Sequence, residues 1–481
     1  MSIDDEIMTL FSNSTFQKRV QDYTGLKKNI TSEKIGNMYV YAYPNSYGGL
    51  PYKVVKSMNL LTKLIKQIKL YKDKYTLIDP SLIDNLFFDL SLSLIFDDYD
   101  ISNEDHINYK KLISDLKNIG AKSYESKAVD IGVIFCPDDQ SYNQLKQLNI
   151  DIIPLPQGNY FKDFFDKEKP FLRLIDNESF AVIIDKKFNV YAIARKRKSE
   201  KSINYIIEKQ FSTHITNKIH NILLDIYFDE IKKNDELKIS VDDNKSEELI
   251  NLKNEMKRNL HNKPQYTYFS LKNHKINVFS ENDFTLTYFN GDWKLKPYNL
   301  INAILANYLF KENATTFKRA MGTFDIDLKI IRNVFDSLMD SIEVLSETLK
   351  RLSLCNQSSI FLINYESELI KVIKKSNKKP SPLYLELISD SSAFNTLNVN
   401  KTDYFVMQAI SAVDGAVLLD THLNILRFGE TVDTTGCPNY QKTFGTGTKA
   451  ARFASRHCLA IKISEDGDIY FFHDEKLLVK I

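Results

Sequence analysis

The chain has 481 residues, 43% of them hydrophobic and 26% charged, and its 64 basic and 62 acidic residues leave a net charge of +2. That length exceeds one ordinary core and implies two or three domains, while the near balance of charge gives no global reason to expect a nucleic-acid or membrane partner. Cys136, Cys355, Cys437 and Cys458 are too scattered for a CxxC-type zinc site, the start MSIDDEIMTLF is no secretory signal, and no apolar run approaches the roughly 20 residues that span a bilayer, so a cytoplasmic protein with reduced thiols is expected.

Residues 1–130 read mostly as helix. MNLLTKLIKQIKLY (58–71) sets apolar residues at helical spacing against lysines, and LIDNLFFDLSLSLIF (82–96) is apolar enough to be buried. A strand follows at AVDIGVIFC (128–136). QLKQLNIDIIPLP (144–156) reads as a helix end feeding a short strand that the prolines stop. SFAVIIDKKFNVYAIARKR (179–197) is a hairpin about an Asp-Lys-Lys turn, and its basic tail, Arg195 to Lys198, could touch a phosphate, with a solvated strand end the plainer reading. Residues 203–231 form a long helix, and the charged, aromatic-poor stretch 232–265 an exposed helix or linker. KINVFSENDFTLTYFNGDWKL (275–295) is a second hairpin signal, with Gly291 placed for positive φ and Trp293 expected in the core. Helices are expected at 298–310 and 327–354, a buried strand and short helix within 358–376, and an apolar helix at 402–411. No Walker loop, dinucleotide fingerprint or HExxH occurs before this point, and His214 and His220 are poorly spaced for one helix face.

The C-terminal third is more specific. DGAVLLD (414–420) reads as a turn and a buried strand, NILRFG (424–429) as a second strand, and FGTGTKAARFASRH (444–457) as a glycine-rich turn entering a basic helix. CLAIKIS (458–464) and IYFF (469–472) form a hairpin about Glu465-Asp466-Gly467-Asp468. The expected class is therefore α/β (α+β), with a mixed sheet flanked by helices at the C-terminal end.

That order, over roughly 330–481, resembles the diadenylate cyclase domain, the nucleotide-binding domain of the DNA-integrity scanning protein and its relatives. SSIFLINYESELIKVI looks like the family's first strand and its following Glu-x-x-Leu segment. Asp414-Gly415-Ala416 matches the DGA motif. GTGTKAA lies where the family has Gly-Thr-Arg-His-Arg followed by Ala-Ala, and Ser464-Glu465 matches a Ser-Glu segment. The resemblance implies a pocket for ATP or a nucleotide signal, with Mg or Mn as the metal. For synthesis it also implies self-association, because two loaded domains meet face to face.

The chemistry of these residues agrees. Asp414 could hold a divalent cation or accept a ribose hydroxyl proton, and Glu465 could supply a second metal carboxylate. Gly415 allows close backbone approach to a ligand. Gly445 and Gly447 free N–H groups to face phosphate, Thr446 and Thr448 add hydroxyls, and Lys449 opens a helix whose dipole favours an anion. The plain alternative is that Asp414 caps a turn, the glycines form a loop and Glu465 is an ordinary hairpin residue.

The departures from the family matter as much. Its Arg-His-Arg reads Gly447-Thr448-Lys449 here, and the histidine that often precedes DGA is Val413. Lysine is a point charge where arginine binds phosphate bidentately. Arg452, Arg456 and His457 are candidate substitutes, with surface positions the plainer expectation. The pattern is similar to relatives proposed as nucleotide sensors, so the leading expectation is a sensor. A variant cyclase with Asp414 as the catalytic residue and a scaffold with a vestigial pocket are the alternatives. The expected organisation is an N-terminal α/β region (1–231), a charged helix or linker (232–265), a hairpin and helix module (266–326) and the cyclase-like domain (327–481).

Overall fold

The computed structural model describes residues 10–24, 31–35, 38–42, 60–72, 80–96, 103–124, 127–167, 169–198, 201–232, 243–260, 264–272, 274–280, 285–296, 298, 300–310, 328–374, 386–390, 395–438 and 445–481. Phe284 and Phe444, named within the expected hairpin and the glycine turn, lie outside them. The fold is α+β: helices pack on two mixed sheets, one of eight strands and one of six.

The first sheet takes β1 (Ile131–Phe135), β2 (Ile150–Tyr160), β3 (Phe180–Ile184), β4 (Asn189–Lys196), β5 (Thr267–Lys272), β6 (Lys275–Phe279), β7 (Thr285–Phe289) and β8 (Asp292–Lys296). Their order across the sheet is β8-β7-β6-β5-β1-β3-β4-β2. β5 pairs antiparallel with β1, Ile131 opposite Leu271. The strands on either side of the charged segment thus share one sheet, and the 275–295 hairpin is part of an antiparallel meander within it. Asn290 (φ 51°) and Gly291 (φ 91°) both take positive φ in its tight turn, as an Asn-Gly hairpin requires. Trp293 is buried against Tyr288, ring centroids 5.1 Å apart, so it is a core residue. β2 differs from expectation: it runs eleven residues, through Pro154 and Pro156. The prolines are tolerated because β2 is an outermost strand and needs ladder donors on one side alone. A short hairpin, Thr31–Ile35 with Met38–Ala42, also interrupts the helical N-terminal region.

The longer flanking helices include α1 (Pro80–Phe96), α2 (Asn103–Gly120), α3 (Ile203–Lys232) and α4 (Asp243–Met256). α1 opens on a proline, which suits a first helical position, and its apolar run is buried as its composition demands. The charged segment is helical over α4, which packs against α3 and buries Met256. His214 and His220 are core residues of α3. His220 faces Phe335, and burial pushes its imidazole down to about 4.

The second sheet takes β9 (Ser359–Ile363), β10 (Ala416–Leu419), β11 (Ile425–Glu430), β12 (Leu459–Ile463), β13 (Ile469–His473) and β14 (Lys476–Lys480), in the order β11-β10-β9-β12-β13-β14. β9 and β10 are parallel, and every other neighbouring pair is antiparallel. Among the described residues the longer helices on this sheet are α5 (Leu328–Leu354), α6 (Tyr404–Ser411) and α7 (Thr446–Ala454), and the expected short helix after β9 is Glu366–Leu369. α5 is strongly amphipathic, burying Phe335, Met339, Ile342, Leu345, Leu349 and Leu352 at three- and four-residue intervals. It packs along α6 on one sheet face, while α7 lies on the other. α7 turns Ala450, Ala451 and Ala454 onto the strands, and these small side chains let the helix sit close.

Candidate functional site

Strand register brings the motif residues to one end of the six-stranded sheet. Ala416 lies opposite Ile360 and Glu430, and Ile360 lies opposite Lys462. The chain enters β10 through Asp414-Gly415 at this end, and β12 leaves through Ser464-Glu465 at the same end. α7 runs back over the sheet with its first turn here, because Gly447 contacts the Lys462 side chain. Asp414, Gly415, Ala416, Gly445, Thr446, Gly447, Ser464 and Glu465 therefore cluster by topology, with Thr448 and Lys449 one step further along α7. Asp414, Gly445, Thr446 and Glu465 are exposed, while Ala416 and Thr448 are buried.

Several residues have different physical jobs from those expected. Gly415 sits at φ 121°, and a Cβ there would lie 2.5 Å from the carbonyl carbon of Gly429. The backbone it approaches is the chain's own, at a bulge where β10 and β11 change register. Gly445 and Gly447 are outside the left-handed region. Gly445 is the extended N-cap of α7, with no side chain capping the helix. α7 starts at Thr446, so Lys449 is its fourth residue and does not open it. Ser464 closes the hairpin turn: its Oγ accepts the Asp468 N–H at 3.1 Å, and its own N–H donates to Asp468 O at 2.9 Å.

Lys462 is a residue that sequence reasoning passed over. It stands mid-sheet in β12, on the α7 face between Ile360 and Tyr470, and is 7% exposed. Its ammonium donates to Ser358 Oγ at 2.5 Å. A Cβ on Gly447 would lie 3.1 Å from that nitrogen, so the glycine makes room for the lysine head. Burial pushes Lys462 below the usual lysine range, and the Glu465 carboxylate partly offsets this. The first turn of α7 carries N–H groups without intrahelical acceptors and the positive end of the helix dipole. A buried ammonium beside that turn concentrates positive potential at one spot. Gly447→Ala should press on the ammonium and weaken anion binding severalfold. The same change sets alanine's helix preference, about 1 kcal/mol, against displacement of the lysine head, so thermal stability should move by no more than about 1 kcal/mol. Calorimetry and melting curves on the one variant check both halves.

The arginines do not replace the missing cations. Arg452 Nε donates to Glu475 O at 2.8 Å, and Arg456 lies 3.5 Å from the Glu475 carboxylate. Both belong to the C-terminal end of α7, beside the β13–β14 turn. Arg456 lies beyond the helix, so the two do not form one helical face. His457 Nδ1 is 3.3 Å from Glu368 Oε2. For the metal, Asp414 and Glu465 are two exposed carboxylates at the right end, and among the described residues no group of three or more His, Cys, Asp or Glu side chains could hold an ion. A Mg or Mn ion there would need water and phosphate as its remaining ligands, which is how Mg is commonly held in nucleotide sites.

The turn bearing Glu465 is anchored from below. Asp468 pairs with Lys480 at 2.7 Å and with Lys296 of β8 at 3.2 Å. Burial pushes the Asp468 carboxyl up, but the two ammoniums outweigh it and hold the group below its ordinary value. Its contribution to stability is thus present above the unfolded carboxylate pKa of about 3.9 and is lost as pH falls through the lower folded value. Asp468→Asn should cost about 1–2 kcal/mol at pH 7, less than a fully buried pair because Lys480 is partly exposed. Urea denaturation should show that difference shrinking in acid.

No family model matches the chain, and no curated protein matches it. Among solved structures, a double cysteine mutant of DacA from Staphylococcus aureus aligns at 17% identity, covering 28% of this chain and 83% of that one, with a TM-score of 0.19. A hypothetical membrane spanning protein from Bacillus cereus aligns at 14% identity, covering 38% of this chain and 93% of that one, with a TM-score of 0.22. At those scores neither likeness supports a conclusion about this chain. Among the described residues no helix is long and apolar enough to cross a membrane.

Proposed function

We propose that the C-terminal unit binds the phosphate end of a nucleotide, ATP or a nucleotide signal, and that the protein is a sensor of it. The observation that carries this reading is the buried Lys462 ammonium beside the uncapped first turn of α7. An ammonium and a helix N-terminus disfavour each other unless an anion lies between them, and phosphate suits both. Asp414 and Glu465 flank the spot as acceptors for ribose hydroxyls or as ligands for a phosphate-bound metal. Sensing is favoured over synthesis because Arg452 and Arg456 are engaged with Glu475, at the other end of α7. Phosphoryl transfer relies on dense neutralisation of developing charge, and this end of the sheet offers Lys462 and Lys449.

Calorimetry with each nucleoside triphosphate, with and without Mg²⁺, tests binding, and mass spectrometry after incubation tests turnover. The reading expects saturable binding with no new product. At a ligand concentration of 100 times Kd, linkage adds about 2.7 kcal/mol of stability, which a thermal shift registers. A complete lack of binding would leave a scaffold with a vestigial pocket. A cyclic dinucleotide or pyrophosphate whose formation Asp414→Asn abolishes would make the protein an enzyme.

A further inference from the structure

A cavity of about 530 Å³ lies away from the strand end, between α3, the C-terminal half of α5, β8 and the start of α6. That volume is in the range of small-molecule sites. Its walls combine aromatic faces and cations. The Arg351 guanidinium lies 4.0 Å from the Tyr404 ring centre and 5.7 Å from that of Tyr205. The Lys201 ammonium lies 4.8 Å from the Tyr205 ring and 5.8 Å from that of Tyr404. Deeper charges are matched within the wall: Lys350 with Glu208 at 3.5 Å, Arg351 with Glu347 at 2.6 Å and Arg258 with Glu343 at 2.5 Å. Lys201 and Lys209 are exposed and have no carboxylate partner among the described residues. The lining therefore offers ring faces within and positive charge left over outside.

We propose that this cavity is a second ligand site, for a small organic anion bearing a planar ring. The ring lies among Tyr205, Tyr404 and the Arg351 guanidinium, which stack with any π-face. The anionic group meets Lys201 and Lys209. An occupant would touch Tyr404 and Lys296, which connect to the two segments of the strand-end site. Tyr404 opens α6, whose last residue, Ser411, accepts from Ser359 Oγ at 3.1 Å and leads within three residues to Asp414. Lys296 lines the cavity and holds Asp468 in the turn that carries Glu465.

The test uses the full chain and AMP as probe, with ribose 5-phosphate lacking the ring and adenosine lacking the anion. Calorimetry should show saturable AMP binding, with each control at least about tenfold weaker. The double variant Lys201→Glu, Lys209→Glu changes exposed side chains and should keep its melting temperature. It should lose at least about tenfold in AMP affinity while ATP binding at the strand end is retained. Lys462→Met should do the reverse. The proposal is overturned if AMP fails to bind, if the charge reversals leave its affinity unchanged, or if Lys462→Met abolishes AMP binding. Failure of the strand-end reading appears separately, as ATP affinity indifferent to Lys462→Met.

Discussion

Replacing Lys462 by methionine should remove most nucleotide binding and leave the fold intact. Methionine fills nearly the same space as the lysine stem, and Ile360 and Tyr470 beside it supply apolar neighbours. Removing a buried ammonium relieves its desolvation, so stability should hold or rise. A charge-assisted contact to phosphate is worth about 2–3 kcal/mol, so affinity should fall by roughly 30- to 150-fold. The pH dependence gives a second signature. Burial lowers the pKa of the free protein's Lys462, and a bound phosphate raises it again. Binding therefore takes up a proton at alkaline pH, and affinity should fall as pH rises through the depressed value. The Lys462→Met profile should lack that fall. Calorimetry across neutral and alkaline pH reads both effects. A variant that binds as tightly as the parent would remove the basis of the proposed site.

The second large effect is on stability. Gly415→Ala should cost about 3 kcal/mol or more, because a positive-φ residue gains a Cβ inside the van der Waals radius of a neighbouring strand. The blocking atoms are the Gly429 carbonyl group and the Glu430 nitrogen, 2.5–2.8 Å from the new carbon. They are backbone in a sheet, so no side-chain rotation relieves the clash. Two controls separate the causes. Gly436 has φ 76° and open space around it, so Gly436→Ala should show strain alone, about 1–2 kcal/mol. Gly445 has neither positive φ nor a close neighbour, so alanine there should cost least, below about 1 kcal/mol for the poorer N-cap. Denaturant midpoints for the three variants should fall in that order. A Gly415→Ala protein as stable as the Gly445→Ala protein would contradict the packing of β10 on β11.

The C-terminal unit was readable because its elements are short and sharply bounded. The strand expected within 358–376 is Ser359–Ile363, and that expected at 424–429 is Ile425–Glu430. KLLVK at 476–480 went unread as a strand because five residues without a turn signal carry little pattern, yet it closes the sheet beyond β13. The large sheet was hidden for another reason. β1 and β5 pair across some 140 residues, and local periodicity holds no information about which strands become neighbours. Lys462 was hidden by its own setting. In CLAIKIS a lysine between isoleucines reads as the solvent side of an alternating strand, and only the helix above β12 turns that side inward. Arg452 and Arg456 were candidate substitutes on spacing that suits one helical face, but the helix ends between them, and the plainer expectation of surface positions is the one that fits.

The prolines of β2 bear on how copies of this protein can meet. An outermost strand is a template on which another chain's backbone can add itself, and Pro154 and Pro156 remove two of the donors such an addition would need. The opposite margin, β8, presents Asp292, Lys294 and Lys296, with Lys296 already committed to Asp468. Growth of the eight-stranded sheet into a shared sheet between molecules is disfavoured at both margins. Assembly through this sheet must instead use side-chain surfaces, where charge and shape can select the partner.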